Sequence, residues 1–229
     1  MKPGIELSII VPVLNEEGLV QKSLARVREV APSAELIVVD GGSSDSTPDM
    51  AVNYADTLLT ASRGRSYQMN AGAKAASGKY LLFLHADTYL PKNFEPALCS
   101  WAGTAPMWGN FYLRLTGSAS IFRLIERMIN LRTKIIGCVT GDQCQIVRAD
   151  VFRDIGGFPD IPLLEDVALS KCLGRLMPPK LIAADVVSSS RRWEERGIFR
   201  TILLMWALRL AYSVGVPPRF FSKSYRPYS

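Results

Sequence analysis

Three short apolar runs, each followed by a polar residue, constrain this chain more than any other feature. Leu7-Ser8-Ile9-Ile10-Val11-Pro12-Val13 leads to Asn15, Leu36-Ile37-Val38-Val39 ends in Asp40, and Leu81-Leu82-Phe83-Leu84 ends in His85-Ala86-Asp87. Runs this short and this rich in branched side chains read as strands covered on both faces, the pattern of a parallel sheet. Pro12 limits ladder pairing at the end of the first. Successive strand residues face opposite ways, so His85 and Asp87 share a side. Their oxygen and imidazole donors suit a divalent cation, and a solvated strand end is the plainer alternative.

Helical segments fill the gaps. Asn15-Glu16-Glu17 reads as a cap with early acids, opening a helix to about Val30. Gly41-Gly42-Ser43-Ser44 is a turn, and Thr47-Pro48 starts a helix to about Tyr54. A short strand, Thr57 to Thr60, and a helix, Ser66 to Ala76, precede the third run. The expected fold is therefore α/β, with a mostly parallel central sheet and helices on both faces. Such sheets bind ligands outside the carboxyl ends of their strands, which gathers Asn15, Asp40 and Asp87 at one crevice.

The second half is less regular. We expect a helix from Lys92 to Trp101, an edge-like strand from Gly109 to Leu115, and a helix from Ser118 to Ile135. A strand from Gly141 to Val147, a turn at Gly156-Gly157-Phe158-Pro159 and a helix from Leu163 to Leu176 follow. Leu181 to Val187 reads as a last strand and Ile198 to Val214 as a last helix. Arg200 and Arg209 sit about half a turn out of phase on that helix, so it has no single polar face. It is expected to dock on the domain; a second subunit or a membrane surface are the other partners considered.

The chain has 229 residues, 48% hydrophobic and 21% charged, ordinary for a globular protein. We read it as one domain: a nucleotide-binding half (about 1–90), a smaller acceptor half (about 91–190) and a basic C-terminal helix and tail (about 191–229). Cys99, Cys138, Cys144 and Cys172 form no CxxC pair, and His85 is the only histidine, so no zinc-finger spacing exists. Reduced thiols, no leader-like apolar stretch at Met1 to Glu6, and no membrane-length apolar run point to a cytoplasmic protein. Net charge is +6, all of it carried from Arg191 onward, where eight Lys or Arg oppose Glu194 and Glu195. Such a tail fits an anionic partner, peripheral membrane contact included, or a solvated surface. No nucleic-acid module accompanies it, so nucleic acid is not expected.

Taken together, Ile9-Ile10-Val11-Pro12-Val13-Leu14-Asn15-Glu16, Val38-Val39-Asp40-Gly41-Gly42-Ser43-Ser44-Asp45-Ser46-Thr47, Leu84-His85-Ala86-Asp87, Gly156-Gly157-Phe158 and Glu165-Asp166 resemble family 2 glycosyltransferases with the GT-A fold. Arg63-Gly64-Arg65, Asn70-Ala71-Gly72, Gly141-Asp142-Gln143 and Arg191-Arg192-Trp193 resemble a small bacterial subgroup of unsettled substrate. The resemblance implies that Asp40 meets the nucleotide base, and that Pro12, Asn15, Glu16, Gly42, Ser44, Arg65 and Ala86 belong to the nucleotide pocket. It implies that Asp87, with His85, holds Mn²⁺ or Mg²⁺ on the diphosphate, and that Asp166 is the general base. Asp142, Gln143, Glu165, Arg192 and Trp193 fall on the acceptor or diphosphate side. Two departures stand out: His85 replaces the usual first aspartate, and Ser189 replaces the glutamine that processive members carry before Arg192-Trp193.

The implied reaction moves a sugar from a nucleotide-diphosphate sugar to an acceptor hydroxyl or phosphate, with inversion. A metal neutralises the leaving diphosphate, and a carboxylate takes the acceptor proton. Alternatives are a degenerate, membrane-associated sugar-nucleotide binder, against which Asp87 and Asp166 both stand, and a nucleotidyltransferase. The latter expects a Gly-rich basic loop where this chain has Asn15-Glu16-Glu17. The acceptor, a small molecule or a lipid phosphate, is left open, as is a homodimer through the last helix.

Overall fold

The computed structural model describes residues 6–220; the side chain of Arg192 also lies outside the described part. Strands β1 (Leu7–Val13), β2 (Glu35–Asp40), β3 (Thr57–Thr60), β4 (Tyr80–Phe83), β5 (Thr88–Tyr89), β6 (Trp108–Leu115), β7 (Ile146–Arg148) and β8 (Lys180–Ser188) form one sheet. Their order is β3-β2-β1-β4-β7-β6-β8-β5. Pairing is parallel through β3-β2-β1-β4 and again between β6 and β8; β7 runs antiparallel to β4 and β6, and β5 to β8. The sheet is thus mixed and mostly parallel.

The apolar runs split between two cores by alternation. Ile9, Val11, Leu36, Val38, Leu82 and Leu84 face one layer. There they meet α1 (Val20–Val30), α4 (Phe94–Ala102) and α5 (Ser120–Ile136). Ile10, Ile37, Val39, Leu81 and Phe83 face the other, with α3 (Arg65–Ala75), α6 (Ala149–Asp154) and α7 (Glu165–Gly174). Burial on both faces is why these strands are apolar at every position rather than every second one. Helix α3 lies so close that a Cβ on Gly72 would come within 2.5 Å of Ile10. The remaining helices are α2 (Thr47–Ala51), α8 (Arg191–Arg196) and α9 (Ile198–Ser213). No helix among the described residues is long and apolar enough to cross a membrane.

Several expectations change. Asn15 caps no helix: α1 starts at Val20, after a turn on the Glu16 carbonyl, and Asn15 adopts φ 52°. Asparagine is among the few residues that visit that left-handed backbone, and here its side chain is held by Ser44. Strand β6 is interior, between β7 and β8, not an edge. Its alternating polar residues are absorbed there: Arg114 pairs with Asp185 of β8 at 2.9 Å, and Asn110 donates to the Phe111 carbonyl at 2.8 Å. Residues 141–143 form a 3-10 turn, and the expected strand is confined to β7. Helix α2 stops at Ala51, short of Tyr54. Strand β5 and helices α6 and α8 were not foreseen.

Candidate active site

Because β1, β2 and β4 are parallel, their carboxyl ends open on one edge of the sheet. There, Asp40 closes its own turn. Its carboxylate accepts the Gly42 amide at 2.9 Å, the Ser43 amide at 3.0 Å and the Ser43 hydroxyl. Gly42, at φ 87°, supplies the left-handed residue this turn requires. Asn15 ties the β1 loop to the same turn: Ser43 Oγ accepts its amide at 2.9 Å, and its Oδ1 accepts the Ser44 amide at 2.9 Å. The Glu16 amide donates to Thr47 Oγ1 at 2.8 Å. These bonds weld two loops into one platform.

Two adjoining cavities lie beside that platform. The first is lined by Pro12, Glu16, Arg65, Ala86 and Asp87, all expected nucleotide-side or metal residues. Asn15, Asp40, Gly42 and Ser44 are not among its lining residues and belong to the platform. Sequence reasoning missed Gln68 in this wall, which also holds Arg191 of the Arg191-Arg192-Trp193 segment. Gln68 is 3% exposed, and its Nε2 donates at 2.8 Å to the carbonyls of both Val13 and Val39, pinning the ends of β1 and β2. Its place on α3, three residues after Arg65, was the available clue: the two share a helix face.

The second cavity holds Asp142, Asp166 and Trp193 together with Gly141, Thr140 and residues of α5 and α9. Arg65, His85, Asp87, Leu163, Glu165 and Ser189 line both cavities. The shared wall is set by backbone bonds: the Ser189 amide donates to the Asp87 carbonyl at 3.1 Å, and Thr88 turns back onto the His85 carbonyl at 3.0 Å.

Glu165 and Asp166 open α7 after Leu164, which takes φ 65°. A left-handed leucine is strained, and such strain gathers at functional sites. Asp166 does more than cap a helix. Its Oδ1 accepts the Val167 amide at 2.7 Å, and its Oδ2 reaches across to the Gly141 amide at 2.7 Å. Gly141 also abuts His85: a Cβ there would sit 2.4 Å from Cε1 and 2.6 Å from Nε2, and 3.5 Å from Asp166 Oδ2. A methyl at position 141 would displace the His85 ring and meet Asp166 at ordinary contact distance.

Burial, then the neighbouring Asp166 charge, pushes the Glu165 carboxyl up to about 7. Burial and then Asp87 also raise Glu16, against the pull of Arg191 and Arg65. Gln143 is a fully buried bracket rather than a lining residue: its Oε1 accepts Thr133 Oγ1 at 3.0 Å and lies 3.5 Å from Arg132 Nη2. Among the described residues no three His, Cys, Asp or Glu gather into a metal cage.

A mixed, mostly parallel sheet with a polar crevice at its strand ends is the architecture shared with solved GT-A glycosyltransferases. The chain belongs to that class by sequence as well: residues 8–156 match the model of glycosyl transferase family 2, and the chain is a member of that family. Among curated relatives it is similar to poly-beta-1,6-N-acetyl-D-glucosamine synthase of Staphylococcus epidermidis, 25% identical over 193 residues. That match covers 72% of this chain and 44% of the relative, so the chain spans under half the relative's length. In fold it is similar to S. aureus TarS 1-349 in complex with UDP-GlcNAc (TM-score 0.68, 18% identity, 81% of this chain and 58% of that one). It is also similar to the mannosyltransferase PcManGT from Pyrobaculum calidifontis in complex with GDP-Man and Mn²⁺ (TM-score 0.66, 20% identity, 97% and 68%).

Proposed function

We propose that this protein is an inverting, metal-dependent glycosyltransferase that moves a sugar from a nucleotide-diphosphate sugar to an acceptor. The observation that carries this reading is the shared wall. Asp87 and Glu16 line a cavity on the platform side, Asp166 lines the neighbouring cavity, and His85, Asp87 and Glu165 belong to the boundary. A donor on one side and an acceptor on the other would meet there.

The donor's base and ribose are assigned to the platform of Asp40, Asn15, Gly42 and Ser44, whose mutual hydrogen bonds fix the two loops beside the cavity wall of Pro12 and Glu16. Arg65 and Arg191 bring positive charge to the diphosphate. A divalent metal fits the residues present. Asp87 and Glu16 are hard oxygen donors; burial and then the Asp87 charge raise Glu16, and a cation would relieve that repulsion. Asp87 would hold the ion, with His85 beside it, and the diphosphate would complete its shell. When bound, the metal stabilises the charge of the departing diphosphate. Members of the same fold crystallised with GDP-Man and Mn²⁺ lend support.

Asp166 is assigned as the general base. Two backbone amides hold its carboxylate oriented, so an acceptor hydroxyl meets a fixed oxygen. Attack from the Asp166 cavity, opposite the leaving diphosphate, inverts the anomeric centre. The test is Asp166→Asn, assayed by release of nucleoside diphosphate from a panel of nucleotide sugars. The expected result is a fall in turnover of about 10²–10⁴-fold with donor affinity unchanged. Full turnover in the variant removes Asp166 as the base.

A further inference from the structure

The second cavity carries a cation that the transfer chemistry does not use. Arg209, on α9, lines it. Its Nε is buried and has no hydrogen-bond partner among the described residues. Arg132 stands behind, from α5, donating to the Cys138 carbonyl at 3.2 Å and to Thr140 Oγ1 at 3.1 Å. Burial, and next the Arg209 charge, lower the pKa of Arg132. Asp142 and Asp166 act on Arg132 from a distance. Yet among the described residues neither arginine makes an ion pair.

Arg132 and Arg209 repel each other, neither is in an ion pair among the described residues, and a buried guanidinium nitrogen left unbonded is costly. A dianionic group between them would relieve both. We propose that the acceptor carries a phosphate, held by Arg209 with Arg132 behind it, while its reacting group lies at Asp166. This rests on the transferase reading for the role of the cavity; the anion subsite itself stands on the two arginines. A phosphate monoester carries nearly two negative charges at neutral pH, and the guanidinium fork matches its oxygens. Free phosphate esters and lipid phosphates share this chemistry. The apolar wall of Ile125, Met128, Ile129 and Met205 admits either.

Trp193 and Trp206 line the cavity, whereas Trp101 and Trp108 are buried elsewhere, so tryptophan fluorescence reports occupancy. The full chain is titrated, without metal or nucleotide, with glycerol 3-phosphate and farnesyl phosphate, and with glycerol and farnesol as neutral controls. The expected result is saturable binding of a phosphate over its neutral control, weakened about tenfold in Arg209→Met and partly restored in Arg209→Lys. A preference for farnesyl phosphate assigns a lipid source; equal binding assigns a soluble one. Binding unchanged in Arg209→Met, or no discrimination between phosphate and alcohol, overturns the proposal. Omitting nucleotide keeps this result separate from failure of the donor reading.

A different observation concerns the outer surface. Leu124, Met128, Leu131 and Ile135 of α5 are exposed at helical spacing. Phe199, Leu203, Trp206, Leu210 and Val214 repeat the pattern on and just after α9 and are 61–75% exposed. Met128 and Trp206 belong both to these stripes and to the cavity lining. The exposed cations of the two helices are Arg127, Lys134 and Arg200, and their single acid, Glu126, is buried and paired with Arg123. Like charges disfavour a second copy on this face; an anionic bilayer surface satisfies both its apolar and basic character. We infer that α5 and α9 rest on such a surface. Wild type should sediment with phosphatidylglycerol-containing vesicles, less at high salt, and Phe199→Glu/Leu203→Glu should stay in the supernatant. Absence of vesicle binding, or a solution dimer broken by the same pair, overturns this inference.

Discussion

Replacing Gly141 by alanine tests the geometry at the heart of the site. The added Cβ would lie 2.4 Å from His85 Cε1 and 2.6 Å from Nε2. Ordinary carbon contacts are about 3.5–4.0 Å, so the imidazole or the 141–143 turn must yield by roughly 1 Å. The ring is the end of a side chain and can swing. The stability loss is therefore set near the low end of the roughly 1–3 kcal/mol expected for overpacking, a fall of about 2–4 °C in melting point for a chain of this size. Catalysis is less forgiving. The Gly141 amide holds Asp166 Oδ2 at 2.7 Å, so displacing the turn misaims the base while His85 moves beside Asp87. A misplacement of about 1 Å costs on the order of 100-fold in rate. Melting by circular dichroism and release of nucleoside diphosphate from the nucleotide sugar read the two effects separately. A variant that melts normally and turns over at the wild-type rate would refute the reasoning, since no room exists for the methyl without moving one of these groups.

Other predictions bear on neighbouring parts. Glu165, raised to about 7, keeps its proton in the folded chain over a range where the unfolded chain has lost it. Its burial therefore makes stability fall as pH rises from about 4.5 to 7, by roughly 3 kcal/mol at most. Urea midpoints across that range should slope less in Glu165→Gln than in wild type; equal slopes remove Glu165 as the cause. Gln68→Leu removes one donor from the Val13 carbonyl, which keeps the Gly41 amide at 2.9 Å, and one from the Val39 carbonyl, at about 1–3 kcal/mol for a group left unpaired. An unchanged urea midpoint would show that water or a shift of α3 replaces the amide. Arg191→Ala should weaken nucleoside diphosphate binding about tenfold by calorimetry while leaving nucleoside binding unchanged. A loss of equal size for nucleosides would place Arg191 away from the phosphates.

The parallel half of the fold was legible because its strands are buried on both faces, which writes itself as continuous apolar sequence in β1, β2 and β4. Of the polar residues after the runs, Asp87 lines the crevice, whereas Asn15 and Asp40 build the platform beside it. What escaped was set by contacts between segments far apart in the chain. Asn15 reads locally as a cap, yet its partners are Ser43 and Ser44. Gly141-Asp142-Gln143 reads as strand, yet Thr140, Thr133 and Arg132 bend it into a turn around Gln143. Strand β6 alternates like an edge because Asp185 of β8 answers Arg114, a pairing no local pattern announces. Asp166 was singled out by its family motif, but its bond to Gly141 was not. Arg209 appeared only as a charge out of phase on an apolar helix; packing α9 beside the cavity gave that charge a place.

The most direct test of the central claim is nucleotide binding and its dependence on metal. Thermal unfolding of wild type and Asp87→Ala would be followed with UDP, GDP, ADP and CDP, each with Mn²⁺, Mg²⁺ or EDTA. A ligand that binds only the folded chain raises the midpoint, by about 2.7 kcal/mol of stability at one hundred times its dissociation constant. We predict that one nucleotide stabilises wild type with metal, that EDTA removes the gain, and that Asp87→Ala never shows it. Stabilisation by no nucleotide, or by one that is indifferent to both EDTA and Asp87→Ala, would contradict the account.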